Sequence, residues 1–220
     1  MNKVLKFIIE IFLSFISVLL TVGLCVISAL NIKTIYIYAI DKYDLLNKVN
    51  ITKDMLLEDY KGLIYYLQNP FVEKLKFNNF IMSKEGEFHF YEVKKIFLGI
   101  YLIVILSIII FFIYSLIKKY NKEKNDMLRL FNKGANILIT IFTILLIAIY
   151  TDFSKAFVIF HKIFFNNDYW IFDEKTDPII KVLPEGVFKL YAIIIVVLLI
   201  IFIIVYKVLY YKSKKRSITK

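Results

Sequence analysis

The chain has 220 residues, 60% of them hydrophobic, yet 29 Lys+Arg against 18 Asp+Glu leave it at +11. A soluble domain with this greasiness spread over one surface would precipitate, so apolar and charged residues must lie in separate blocks, as in a multi-span membrane protein. One cysteine, Cys25, and two histidines exclude an internal disulfide framework, a Cys-ligated zinc site and a His-rich metal cage.

About 20 apolar residues cross a bilayer as a helix. Four stretches answer to this, at about 7–30, 96–117, 135–151 and 187–206, the third being the shortest. The reading is an all-α membrane protein: one integral membrane domain over 1–220, with four transmembrane helices and outer loops 31–95 and 152–186. Residues 118–133 and 207–220 carry six Lys+Arg each, which sets them and both termini in the cytoplasm. The first span starts positively at Lys3 and Lys6 but is too long for a signal peptide and lacks a small-residue cleavage site, so it reads as an uncleaved anchor. Glu10, Ser14, Ser17, Thr21 and Ser28 share one of its faces. That face is either a small-residue packing seam or a groove for a lipid-borne substrate.

Both outer loops have structure of their own. In the first, Thr52 caps a helix running to about Leu67, and Asn69-Pro70 ends it. Lys74–Asn78 and Glu87–Tyr91 alternate polar and apolar around Ser83-Lys84-Glu85-Gly86, which predicts a short β-hairpin with His89 opposite Phe88 and Phe90. In the second loop Phe153, Phe157, Phe160 and Phe164 recur every three or four residues, the pattern of an interfacial amphipathic helix. His161 lies beside that stripe, and Asn166-Asn167-Asp168-Tyr169-Trp170 ends it with two aromatics suited to headgroup depth.

Both histidines therefore face outward beside a span. They are either interfacial residues satisfied by loop carbonyls or a proton-transfer pair, since an ordinary imidazole titrates near 6.5. No Gly-x-Ser-x-Gly elbow is present, and Ser154 has no identifiable acid partner. A metal site built from both histidines with Asp152, Asp173 or Glu92 has no supporting spacing. Spans two to four have charge-free cores, which speaks against a midplane transport site. The basic tail Lys212-Ser213-Lys214-Lys215-Arg216 suits an anionic lipid surface, not nucleic acid.

Phe157-Val158-Ile159-Phe160-His161, Phe164-Phe165-Asn166, Trp170, Asp173, Asp177-Pro178-Ile179-Ile180 and Leu183-Pro184-Glu185 form one block of interest. Asn69-Pro70 through Ser83, Gly86, His89 and Glu92-Val93 form another. Together they resemble the lipoprotein intramolecular transacylases of low-GC Gram-positive bacteria, with Glu174 and Gly186-Val187-Phe188 as departures. The resemblance implies an acyl shift within diacylated bacterial lipoproteins, from the sn-2 position of the diacylglyceryl-Cys to its α-amino group, without a cofactor or metal. It implies catalysis by His161 and His89, with Glu92, Asp152, Asn166, Trp170 and Asp173 orienting rings or substrate. The competing classes are a non-catalytic membrane scaffold or sensor and a metal-dependent membrane hydrolase.

Overall fold

The computed structural model describes residues 2–123 and 126–218, and those residues form seven α-helices and no strand. In chain order they are α1 (Lys3–Asn31), α2 (Lys33–Lys42), α3 (Lys53–Gln68), α4 (Lys84–Tyr120), α5 (Met127–Thr151), α6 (Phe153–Phe164) and α7 (Glu185–Ile218). Short 3-10 turns lie at Leu46–Lys48 and Pro178–Lys181. Helices α1, α4 and α7 are each long and apolar enough to cross a membrane. The helices contribute to two compact units.

The first unit comprises α1 up to Val26, Tyr101–Ile147 and the chain from Ile195 onward. Its seam is the polar face of α1. Ser14, Ser17 and Thr21 are buried, and each hydroxyl donates to a carbonyl three or four residues back in its own helix. That self-satisfaction lets two helices approach without orphaned polar groups. Gly134 of α5 exploits it: a Cβ there would collide with the Ser17 hydroxyl and come within 3.0 Å of the Ser14 carbonyl. Thr21 also meets the Tyr206 hydroxyl at 3.1 Å, and Glu10 is clasped by Arg129 and by Lys133, the latter at 2.6 Å. From Glu10 to Thr21 the face is thus a packing seam, whereas Ser28 is exposed. Leu102, Ile105 and Ile109 of α4 and Ile200 and Ile204 of α7 are exposed apolar side chains, as a lipid-facing surface requires.

The second unit comprises Ile27–Ile100 and Ala148–Ile194. Its core joins Tyr36, Ala39 and Ile40 of α2 to Leu56, Tyr60, Leu63, Tyr66 and Leu67 of α3, with Leu75, Phe90, Ile179, Val182, Leu183 and Val187 closing over them. Tyr36 stacks on Tyr60 with ring centroids 3.8 Å apart. Helix α3 begins as its sequence dictates: the Thr52 hydroxyl accepts from the Met55 N–H at 3.3 Å, and Asp54 occupies the favourable first turn.

The expected β-hairpin is not formed. Lys74–Asn78 does bury Leu75 between exposed Lys74 and Lys76, but it pairs with no strand. Instead the buried Asp59 carboxylate accepts the N–H groups of Asn78 at 2.6 Å and Asn79 at 3.1 Å. Glu87–Tyr91 belongs to α4, whose buried or partly buried face reads Gly86, His89, Phe90, Val93 and Phe97. This helical stripe continues into the apolar stretch 96–117, whereas the alternation lasts only five residues, so the longer period prevails. His89 and Phe90 are consequently both buried, where a strand would have set them on opposite faces.

Candidate active site

Local capping fixes the two helices that carry the histidines. Ser83 precedes α4, and its hydroxyl accepts the Gly86 N–H at 2.9 Å. The buried Asp177 carboxylate accepts the Ser83 N–H at 2.8 Å and the Thr176 hydroxyl at 2.8 Å, placing negative charge at the positive end of α4. Gly86 is needed there because a Cβ would strike that carboxylate. His89 sits one turn further on, ahead of the apolar stretch. Helix α6 starts at Asp152, whose carboxylate accepts the Lys155 N–H at 2.9 Å, and His161 lies in its last turn.

These elements bring the two imidazoles together, with centroids 6.0 Å apart and planes inclined by 31°. His89 is 7% exposed and His161 8%. The pocket around them is aromatic. Phe165 and Phe172 meet the His89 ring at 4.7 and 5.5 Å. Phe157 lies 4.2 Å from the His161 ring, and Trp170 stacks on it at 4.7 Å with 29° between planes. Among the described residues no three His, Cys, Asp or Glu side chains gather as metal ligands.

The protonation pattern follows from this environment. His161 Nδ1 lies 2.7 Å from the Phe157 carbonyl oxygen, which can only accept, so Nδ1 carries the hydrogen. In the neutral ring the lone pair is then on Nε2. Burial lowers the His161 pKa below its ordinary value, although the bond to Phe157 works in the other direction. Burial, and secondarily the neighbouring charge of His161, pushes His89 down to about 4. Both rings are therefore neutral at pH 7. His89 Nδ1 and Trp170 Nε1 are buried and make no hydrogen bond with any described residue.

The sequence-derived carboxylates have hydrogen-bond partners of their own. Asp152 caps α6 about 13 Å from His161 along the helix, at 1.5 Å per residue. Asp173 shapes a turn, accepting the Lys175 N–H on its side chain and the Asp177 N–H on its carbonyl. Glu92 accepts from Asn167 Nδ2 at 3.0 Å. Asn166 is exposed, and it is Asn167, overlooked in the sequence, that joins α4 to the segment after α6. Ser154 does have an acid partner, donating to Glu185 at 2.7 Å. Ser83 and Asp177, which cap the start of α4, were not anticipated from the sequence. The Ser83-Lys84-Glu85-Gly86-Glu87 run is a helix-start signal that would have revealed the first.

The model of the family "Lipoprotein intramolecular transacylase Lit" matches residues 11–188. The chain belongs to this family. Its fold is similar to the in meso structure of the membrane integral lipoprotein intramolecular transacylase Lit from Bacillus cereus, with a TM-score of 0.89 and 29% identity over 100% of both chains. A histidine-to-arginine variant of that protein matches with a TM-score of 0.81 and 30% identity, over 98% of this chain and 95% of that one. A histidine-to-alanine variant gives 0.82 and 29%, over 98% and 96%. Comparison with curated proteins finds no match. Within this transacylase family, an acyltransferase family, the resemblance drawn from the histidine blocks thus holds over most of the chain.

Proposed function

We propose that the chain moves the sn-2 acyl chain of a diacylglyceryl-Cys lipoprotein onto the α-amino group of the same cysteine. The product is the N-acyl, S-monoacylglyceryl lyso-form. The observation that carries this reading is a pair of buried, neutral imidazoles 6.0 Å apart, one with a fixed tautomer that leaves Nε2 basic. Ester and nucleophile belong to one substrate, so positioning supplies much of the acceleration and neither cofactor nor acyl-enzyme is required.

His161 is the general base and His89 its partner. The α-ammonium, with an ordinary pKa of about 7.7–8.0, loses one proton to solvent, and its nitrogen attacks the sn-2 carbonyl carbon. The carbonyl π pair moves to oxygen, and His161 Nε2 takes the second proton from nitrogen. Collapse breaks the bond to the glycerol oxygen, which receives that proton directly or by way of His89. Each such role is typically worth about 10²–10⁴-fold. Asp152 supports His161 through α6, Glu92 and Asn167 join the segments that bear the two rings, Asp173 shapes a flanking turn, and exposed Asn166 is free to meet the substrate.

The exposed apolar side chains Phe160, Ile163 and Phe164 of α6 suit contact with lipid chains, which favours an interfacial position for this helix. In this reading α5 is the fourth span, the chain is one integral membrane domain of the cell membrane, and both termini are cytoplasmic. The histidines then face the outer leaflet, where the substrate is anchored. Reconstituted protein with a synthetic diacylated lipopeptide tests the assignment. His161→Ala should abolish lyso-form product while leaving protein abundance intact, and retained activity would refute the assignment.

A further inference from the structure

We propose that Trp170 is a further catalytic residue, whose indole N–H receives the carbonyl oxygen of the acyl chain in transit. The inference rests on the acyl-shift reading above. Trp170 Nε1 is buried without a hydrogen-bonding partner among the described residues, and its ring stacks 4.7 Å from the His161 imidazole. Leaving a donor buried and unsatisfied costs about 1–3 kcal/mol, so the fold gains nothing from this N–H as it stands. Such groups call for a reason, and catalysis is one of the recognised ones.

The surrounding contacts hold the indole in place. Glu92 accepts from Asn167 Nδ2 at 3.0 Å, and Asn167 Oδ1 in turn accepts the Tyr169 N–H at 3.0 Å, closing a turn that delivers the next residue, Trp170, onto His161. Phe88 of α4 packs edge-on against Tyr169 at 5.7 Å and fixes the same turn. The reaction requires a donor where the carbonyl π pair arrives on oxygen, close to the base that deprotonates the attacking amine. Donors fixed in advance in a dry site are the usual source of such stabilisation. During attack the new C–N bond forms, the oxyanion accepts the indole N–H, and the proton from nitrogen goes to His161. When the tetrahedral centre collapses, the pair returns to carbon, the bond to the glycerol oxygen breaks, that oxygen takes the proton held by His161, and the indole keeps its hydrogen throughout.

Trp170 is the only tryptophan in the chain. Biosynthetic replacement by 3-benzothienylalanine therefore exchanges this one N–H for sulfur while preserving ring size and stacking. The substituted protein should keep KM within about twofold, keep the shape of its pH profile, and lose about 10²–10³-fold in kcat, the range for removing an oxyanion donor. Trp170→Phe should lose at least as much. A kcat within threefold of wild type, or a loss confined to KM, would overturn the proposal. His161→Ala, assayed alongside, separates the two readings. Activity in that variant defeats the base assignment, whereas an inactive His161→Ala beside active tryptophan replacements defeats only the role of Trp170.

Discussion

Replacing Asp177 tests whether the start of α4 is what holds His89 in register. This carboxylate is 3% exposed and accepts the Ser83 N–H and the Thr176 hydroxyl, both at 2.8 Å. Asp177→Ala removes both hydrogen bonds. The partly buried Ser83 N–H has no other acceptor among the described residues, and losing its bond to a charged acceptor costs about 1.5–3 kcal/mol. The Thr176 hydroxyl keeps its bond to the Asp173 carbonyl. It also removes a negative charge at a helix N-terminus, worth about 0.3–1 kcal/mol. The expected loss is about 2–4 kcal/mol, or about 4–16 °C in melting temperature at about 2–4 °C per kcal/mol for a chain of this size. Asp177→Asn keeps an acceptor for Ser83 and should lose markedly less. Because a misplacement of about 1 Å at a reacting group can cost about 10²-fold, the alanine variant should also turn over about 10- to 100-fold more slowly. Thermal unfolding in detergent and lipopeptide turnover measure the two effects. An alanine variant with wild-type melting temperature and a rate within twofold of wild type would refute the reasoning.

Two further outcomes follow from the same geometry. A base must be neutral to act, and burial holds the His161 pKa below 6.5, so its limb of the rate profile lies below that pH. Between pH 7 and 8.5 the rate should therefore climb only with the substrate amine, and a second inflection near 7 assignable to His161 would contradict this. Gly134→Ala should cost about 1–3 kcal/mol by forcing a methyl group into the α1–α5 seam. Removing the Ser17 hydroxyl in the same protein should recover part of the loss in melting temperature, and an unchanged Gly134→Ala protein would contradict the close approach.

The features most legible in the sequence were those encoded locally. The apolar runs of α1, α4 and α7, the Thr52 cap of α3 and the aromatic stripe of α6 each announce themselves within one continuous stretch of sequence, and each is present. The hairpin failed because five alternating residues, Glu87–Tyr91, also satisfy a helical stripe that runs on to Phe97. A period read over so short a window does not decide between them. The histidines were recognisable as a pair in aromatic surroundings, but they lie 72 residues apart on α4 and α6. Only tertiary packing could show that their rings meet at 6.0 Å. The same holds for Asn167, which matters because Glu92 on another helix accepts its hydrogen bond, and for Asp177, which acts on a helix that begins 93 residues before it.

Fragmentation mass spectrometry of a lipoprotein N-terminus, from membranes with and without this protein, tests the central claim most directly. An acyl shift within one molecule is an isomerisation, so the intact mass should be unchanged. The fragments should instead show one acyl chain moved from glycerol to the cysteine nitrogen, and the His161→Ala protein should leave the diacylglyceryl form untouched. A gain of one acyl mass would mean transfer from a separate lipid, and a loss of one would mean hydrolysis. Either result would contradict the account.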